Sequence, residues 1–225
     1  MRWVLTPDEF AHVWTTETGL DFRPYPVNAA IPATPARGLR QQYARNTDPD
    51  LAAALLLCAR TDLTTLTVSG ERSTPGAAPE RILACAAVML THAAVLIARG
   101  ESIVVMLVPA QAIGERLVEV IGSAPAGRTA VMREAQRAVL VSGRHPIPAG
   151  PARFQRALRA PVDSRGIVTV TTAPHNPAPP TTRHRTWLDV AGDGRYLLTT
   201  ADQLTLTPVD DDAFAAQLRQ LAGLH

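Results

Sequence analysis

The 225-residue chain contains no lysine, so all 22 of its basic side chains are arginine. With its abundant alanine, proline and threonine, this reflects coding in a GC-rich genome rather than chemistry. Against 20 acidic residues the formal net charge is +2, which makes no overall claim on nucleic acid or on a membrane surface. Aromatic residues are only 4%. They are not interleaved with basic residues along the strand-like segments, as a platform for single-stranded nucleic acid would need. The two cysteines, Cys58 and Cys85, lie in separate apolar runs without metal-ligand spacing. That points to buried free thiols in a reducing compartment. The apolar run over 82–98 is short for a membrane helix, carries Thr91 and His92 at its centre and is bracketed by Arg81 and Arg99. It reads as two core strands. No apolar leader with a small-residue cleavage site is seen at the start, so a cytoplasmic location is expected.

Recognisable chemistry is also missing. There is no glycine-rich phosphate loop and no nucleophile-elbow serine. The six histidines do not pair at metal-binding spacing. His175 and His184, in or just after a proline-rich loop, read as an exposed loop pair. Asp210, Asp211 and Asp212 read as charge at a helix start, and Asp189 and Asp193 as turn residues. The reading is therefore not an enzyme, with no cofactor and no metal.

What is present is an alternation of helix and strand signals. Thr6-Pro7-Asp8-Glu9 opens a helix with Phe10, Val13 and Trp14 on one face, ending near Gly19. Four prolines then break regular structure over 21–35, and a short helix is expected over 39–45. Asp48-Pro49-Asp50 opens another. Strands are expected over 63–69, 81–90, 93–97 and 102–108, with a loop over 70–80. Pro109 ends the last of these, and a helix carries Ile113, Leu117, Val120 and Ile121 up to Gly122. The order then repeats: strands over 166–172, 186–190, 196–199 and 204–207, a proline-rich loop over 173–182, Pro208, and a helix with Phe214, Leu218 and Leu221 before Gly223. Ile113, Leu117 and Val120 map onto Phe214, Leu218 and Leu221 at one constant offset, which points to an internal duplication. The expected fold class is α/β of the α+β type: a central antiparallel β-sheet from two quasi-symmetric halves, flanked by helices.

Between the halves, residues 123–162 hold seven arginines against one acid, Glu134. Helical pieces are expected over 129–141 and 152–160. They are either solvated surface helices or a basic face for an acidic partner. The chain is thus expected to form one domain over 1–225, made of an N-terminal half (1–122), a basic helical connector (123–162) and a C-terminal half (163–225).

The opening Leu5-Thr6-Pro7-Asp8-Glu9-Phe10 with Trp14, then Gly19-Leu20 and Pro24-Tyr25-Pro26, resembles the start of the EspG family, the proteins associated with ESX (type VII) secretion in actinobacteria. The strand over 63–69 with its loop, and the ending from Gly194-Arg195-Tyr196-Leu197-Leu198 through Leu206-Thr207-Pro208 to Phe214, Leu218 and Leu221, are similar as well. The resemblance implies a cytosolic chaperone of two quasi-symmetric halves that binds PE–PPE heterodimers near the tip of the PPE helical hairpin, without cofactor or catalytic residues. It places partner contacts in the loop after the first long strand and in the C-terminal helical bundle. Carried onto this sequence, those are Glu71, Arg72, Ser73 and Thr74 in the loop, and Arg133, Arg137, Arg153 and Arg156 in the basic segment. That segment is shorter here than the family leads one to expect, which leaves a WXG-type helical hairpin open as the client. Neither nucleic-acid binding nor membrane insertion is expected, and a homodimer is left open. The rival reading is an Arg-rich regulator associated with nucleic acid, whose binding would weaken steeply with salt.

Overall fold

In the computed structural model, residues 1–31, 48–74, 76–140, 147–172 and 179–224 are described. Helix α1 (Pro7–Thr18) begins as its sequence dictates. The Thr6 hydroxyl accepts from the Glu9 N–H, and the Glu9 carboxylate accepts from the Thr6 N–H. Gly19 closes the helix in the left-handed region at φ 72°. Helix α2 (Pro49–Ala59) is capped by Asp48, whose carboxylate also accepts from the Trp3 indole at 2.6 Å. The backbone N–H of Leu51, more than any other group, holds the Asp48 carboxyl below its ordinary value. The short helix expected over 39–45 lies outside the described residues.

Ten strands form one sheet: β1 (Arg2–Leu5), β2 (Thr64–Arg72), β3 (Glu80–Met89), β4 (His92–Arg99), β5 (Ser102–Pro109), β6 (Met132–Ala135), β7 (Val162–Thr171), β8 (Thr182–Val190), β9 (Gly194–Thr200) and β10 (Gln203–Pro208). Their order is β1-β5-β4-β3-β2-β7-β8-β9-β10-β6, and every named pairing is antiparallel. Read from the middle outward the two sides match, with β6 taking in the second set the place that β1 takes in the first. At the centre Thr67 faces Thr169, flanked by Leu66 opposite Val170 and Val68 opposite Val168. The α+β class with a central antiparallel sheet is what the helix and strand periodicities call for.

Strand alternation sorts the side chains onto two faces. On one face α3 (Ile113–Ile121) and α6 (Asp211–Leu221) pack together over Leu66, Val68, Ala84, Val95, Val168 and Trp187. The two helices nearly touch: a Cβ added at Gly114 would lie 2.3 Å from the Ala215 carbonyl oxygen. Gly114 and Ala215 are equivalent under the same offset that relates Ile113 to Phe214, so the crossing joins matching positions. On the opposite face α1 and α2 cover β3, β4 and β5 through Phe10, Trp14, Leu55, Leu96 and Ile103. There α4 (Gln136–Leu140) and α5 (Ala149–Leu158) cover β9 and β10 through Val139, Phe154, Tyr196, Leu204 and Leu206. Trp187 lies flat over the middle of the sheet because Gly70 and Gly166, paired across β2 and β7, leave it room. Its indole would be 2.5 Å and 2.1 Å from a Cβ at either position.

Several elements differ from the sequence reading. The helix expected over 129–141 is instead β6 followed by the five-residue α4, because β10 offers residues 132–135 a free edge to pair with. β1 had no sequence signal and forms in the same way on β5. The expected loop over 70–80 shrinks to 73–79, since Gly70, Glu71 and Arg72 stay paired to both β3 and β7. β7 starts at Val162 rather than 166, and α5 starts at Ala149 with Pro151 in its first turn, where no N–H is needed. Of the proline-rich loop over 173–182, residues 173–178 lie outside the described residues, as does His175. His184 stands on β8, its Nδ1 2.9 Å from the Thr169 hydroxyl. Cys58 and Cys85 are buried and free, as expected. The Cys85 thiol beside it, and burial after that, push the Cys58 thiol well above its ordinary value, so Cys58 packs rather than reacts.

Candidate partner-binding surface

The first candidate segment lies at one end of the two central strands. β2 leads out at Arg72 and β3 returns at Glu80. The Ser73 N–H donates to the Asp163 carbonyl at 2.7 Å, tying the loop base to the start of β7. The Ala77 N–H closes a turn on the Thr74 carbonyl, with Gly76 at φ 76° where a side chain would be strained. Ser73 and Thr74 are exposed. Glu71 and Arg72 are committed elsewhere. Glu71 accepts from Arg165 at 2.8 Å across β2 and β7. Arg72 binds Glu80 at 2.9 Å and donates to the Ile121 carbonyl at the end of α3. Among the described residues, Ser73 and Thr74 are thus exposed, whereas Glu71 and Arg72 are held at the loop base.

Helix α5 exits toward this same end, because its last turn leads directly into β7. Arg153 and Arg156 are exposed on α5, and Arg137 is exposed on α4. Their charge is uncompensated: no ion pair reaches them among the described residues. Arg133 stands apart. It is paired with Thr205, while its neighbour Met132 and β10 residues Leu204 and Leu206 face α4 and α5. Strand alternation therefore sends Arg133 to the α3–α6 face. The basic segment does not form one continuous arginine stripe.

The opposite end of the two central strands is built differently. There the Thr172 N–H donates to the Thr181 carbonyl at the base of the second loop. Its surroundings include a cavity of about 300 Å³ lined by Phe22, Tyr25, Leu63 and Thr171. Phe22 and Tyr25 are 58% and 61% exposed. This end also holds arginines, Arg60 in the cavity lining and Arg183 and Arg185 of β8 beside the loop base, so the exposed aromatics rather than charge set it apart.

The polar group that sequence reasoning missed is Arg195, at 0% exposure the most enclosed charge described. Its Nε and Nη2 bind both oxygens of Asp189 at 2.7 and 3.0 Å, Nη1 binds Asp211 at 2.9 Å, and Nη2 also reaches the Gly122 carbonyl at 2.6 Å. The Phe214 ring lies 5.5 Å below the guanidinium carbon. Arg195 thereby fastens β8, β9, α6 and the end of α3 at one point. Together with Arg72 it places positive charge on the carbonyls at the C-terminus of α3, where the helix dipole is negative. Asp189 and Asp211, read as turn and helix-start residues, are the anchors of this node. Asp193 sits at the neighbouring turn, and the Tyr196 hydroxyl, then the Arg128 N–H, hold its carboxyl below the ordinary range. Only the pairing of an inward-facing arginine with acids outside its own strand could have shown this, and spacing alone does not.

These features define a class: an antiparallel sheet symmetric about its middle, with a crossed helix pair on one face and two separate helix pairs on the other. The sequence profile of the EspG family matches residues 6–220, and the chain belongs to this family. A comparison with curated proteins finds no match. Among solved structures the chain is similar to the Mycobacterium tuberculosis type VII secretion system chaperone EspG5, solved in complex with a PE25–PPE41 dimer. The match has a TM-score of 0.63 at 15% identity and covers 98% of this chain and 95% of that one. At that identity the likeness speaks to the fold. Among the described residues no helix is long and apolar enough to cross a membrane, and no group of three or more His, Cys, Asp or Glu is placed to hold a metal.

Proposed function

We propose that this chain is a cytoplasmic, non-catalytic chaperone for a type VII secretion substrate of the PE–PPE kind, which it holds at the sheet end formed by the 73–79 loop and helices α4 and α5. Family membership over residues 6–220 carries the reading. The same kind of complex in a structure of the same fold supports the client class. Covering the apolar tip of a helical hairpin would remove the surface that otherwise drives its self-association. Exposed Ser73 and Thr74 suit backbone contacts. Arg137, Arg153 and Arg156 suit carboxylates or the terminal carbonyls of client helices, because a guanidinium donates in a planar fork. The strand order supports taking residues 132–158 as part of the second half rather than as a separate connector, within one domain over 1–225.

The test is co-expression with the PE–PPE pair encoded nearest to its gene. Co-elution as one complex, and client that stays soluble only when the chain is present, are expected. A client equally soluble alone and never co-eluting would overturn the reading. A WXG-type hairpin run in parallel distinguishes the client classes. The nucleic-acid reading gains no support, since its arginines divide between two faces.

A further inference from the structure

Beside α3, on the crossed-helix face, the outer part of the first half of the sheet is open and holds a cavity of about 280 Å³. Its floor is apolar: Ile82, Ile97, Val104 and Met106 from β3, β4 and β5, closed on one side by Val120 of α3. Its rim is cationic. Arg2 pairs with Met106 across β1 and β5 and so shares its face. Arg99 follows Ile97 by two residues on β4 and shares that face as well. Arg81 also borders the opening, but it precedes Ile82 on β3 and alternation turns its side chain to the other face. Arg2 and Arg99 are exposed, and no hydrogen bond or ion pair reaches their side chains among the described residues. The remaining cations of the cavity are neutralised where they stand, Arg72 by Glu80 and Arg116 by Glu119, at 2.9 and 2.7 Å. Two uncompensated positive charges, Arg2 and Arg99, therefore border an apolar floor.

We propose that this cavity binds an acidic peptide segment of a partner protein, with an apolar side chain seated on Ile97, Val104 and Met106 and carboxylates taken by Arg2 and Arg99. A guanidinium binds carboxylate through two parallel N–H donors, and Met106 adapts to the shape of the side chain it meets. The volume suits one or two side chains; whole small-molecule ligands generally fill roughly 300–1,000 Å³. The carboxylate can belong to an acidic side chain or to a chain terminus, and both present the same group. The site lies on the face opposite α4 and α5, so it stands whether or not the client reading does.

The probe is a fluorescein-labelled heptapeptide with a central leucine between glutamates, made as the C-terminal acid and as the amide, titrated by anisotropy against the full chain. Saturable binding is expected, weakened by about tenfold or more in R2E/R99E and less so in the milder R2Q/R99Q. Circular dichroism and the thermal midpoint show that each variant is folded. R183E reverses an exposed charge outside the cavity and should bind as wild type does. Acid and amide peptides binding alike assigns the contact to side-chain carboxylates. Loss in the amide alone assigns it to the terminus. No binding by wild type at millimolar peptide, equal binding by R2E/R99E, or an equal loss in R183E would each overturn the proposal.

Discussion

Replacing Arg195 with methionine keeps the length and apolar stem of the side chain and removes its charge. The structure sets the size of the effect. The guanidinium is wholly buried, while Asp189 and Asp211 are only 13% and 33% exposed. Four hydrogen bonds of 2.6–3.0 Å disappear together. Two carboxylates are left close together without a cation, and the Gly122 carbonyl loses its donor. Removing one side of a buried ion pair costs about 3–5 kcal/mol, a large part of the roughly 5–15 kcal/mol that holds a domain folded. At about 2–4 °C per kcal/mol for a chain of this size, R195M should lower the melting midpoint by about 6–20 °C. Thermal unfolding at neutral pH with R165M as the control measures it, and urea denaturation gives the free-energy difference. Arg165 also pairs with an acid, but with its side chain 61% exposed, so its loss should cost no more than about 1 kcal/mol. Adding D189N/D211N to R195M should recover part of the loss, because it removes the stranded charges. If R195M falls within about 1 kcal/mol of R165M, the node is not what joins β8, β9 and α6 to the end of α3.

Gly114→Val should destabilise by about 1–3 kcal/mol or more, read by urea melting, because its Cβ would meet the Ala215 carbonyl at 2.3 Å; Gly223→Ala, with open space around it, should show only the strain of its positive φ. Asp48→Ala should cost about 1 kcal/mol by removing the α2 cap, and Trp3 fluorescence should change as its indole loses the 2.6 Å acceptor. Tyr196→Phe removes the hydroxyl that most depresses the Asp193 carboxyl. A depressed carboxyl adds stability above its unfolded value near 3.8 and loses it as pH falls through the lower folded value. The gap between Y196F and wild type in urea melts should therefore narrow below that pH. R137E/R153E/R156E should leave the melting midpoint nearly unchanged, since these side chains are exposed, but weaken client capture in the co-elution assay by about tenfold or more.

The helices were legible where local chemistry alone sets their ends. Thr6-Pro7-Asp8-Glu9 carries a complete capping box, and Asp48 and Asp210 cap α2 and α6 through their own carboxylates. The apolar strands β3, β4 and β5 were legible for the same reason. What escaped was set by partners distant in sequence. Arg2-Trp3-Val4-Leu5 and Met132-Arg133-Glu134-Ala135 are too short and mixed to signal strands, and the edges of β5 and β10 make them so. The strand extension through Gly70–Arg72 depends on pairing to β7, more than ninety residues on. Of the candidate site, the exposed Ser73 and Thr74 and the arginines of α4 and α5 stand where they could meet a partner. Glu71 and Arg72 are held by Arg165, Glu80 and Ile121, contacts that no spacing within the loop reveals.

The symmetry of the sheet explains why one protein of this shape can offer two unlike ends. Matching positions meet at the centre, Thr67 with Thr169 and Gly114 with Ala215. An axis through them carries the 73–79 loop onto the base of the second loop at the far end. The backbone therefore provides two equivalent platforms, each beside the exit of a helix pair. Side chains then separate them. The exit of α5 carries Arg153 and Arg156, whereas the second-loop end, which has Arg60, Arg183 and Arg185 of its own, adds exposed Phe22 and Tyr25 around a cavity. Opposite charge on a client draws it toward the arginines of either end over distances near a Debye length, before any shape is matched. Apolar contact discriminates only once surfaces touch. Reversing Arg153 and Arg156 should therefore weaken capture of an acidic client held at the α5 end and leave unchanged the capture of one held against Phe22 and Tyr25, which the co-elution assay reads directly.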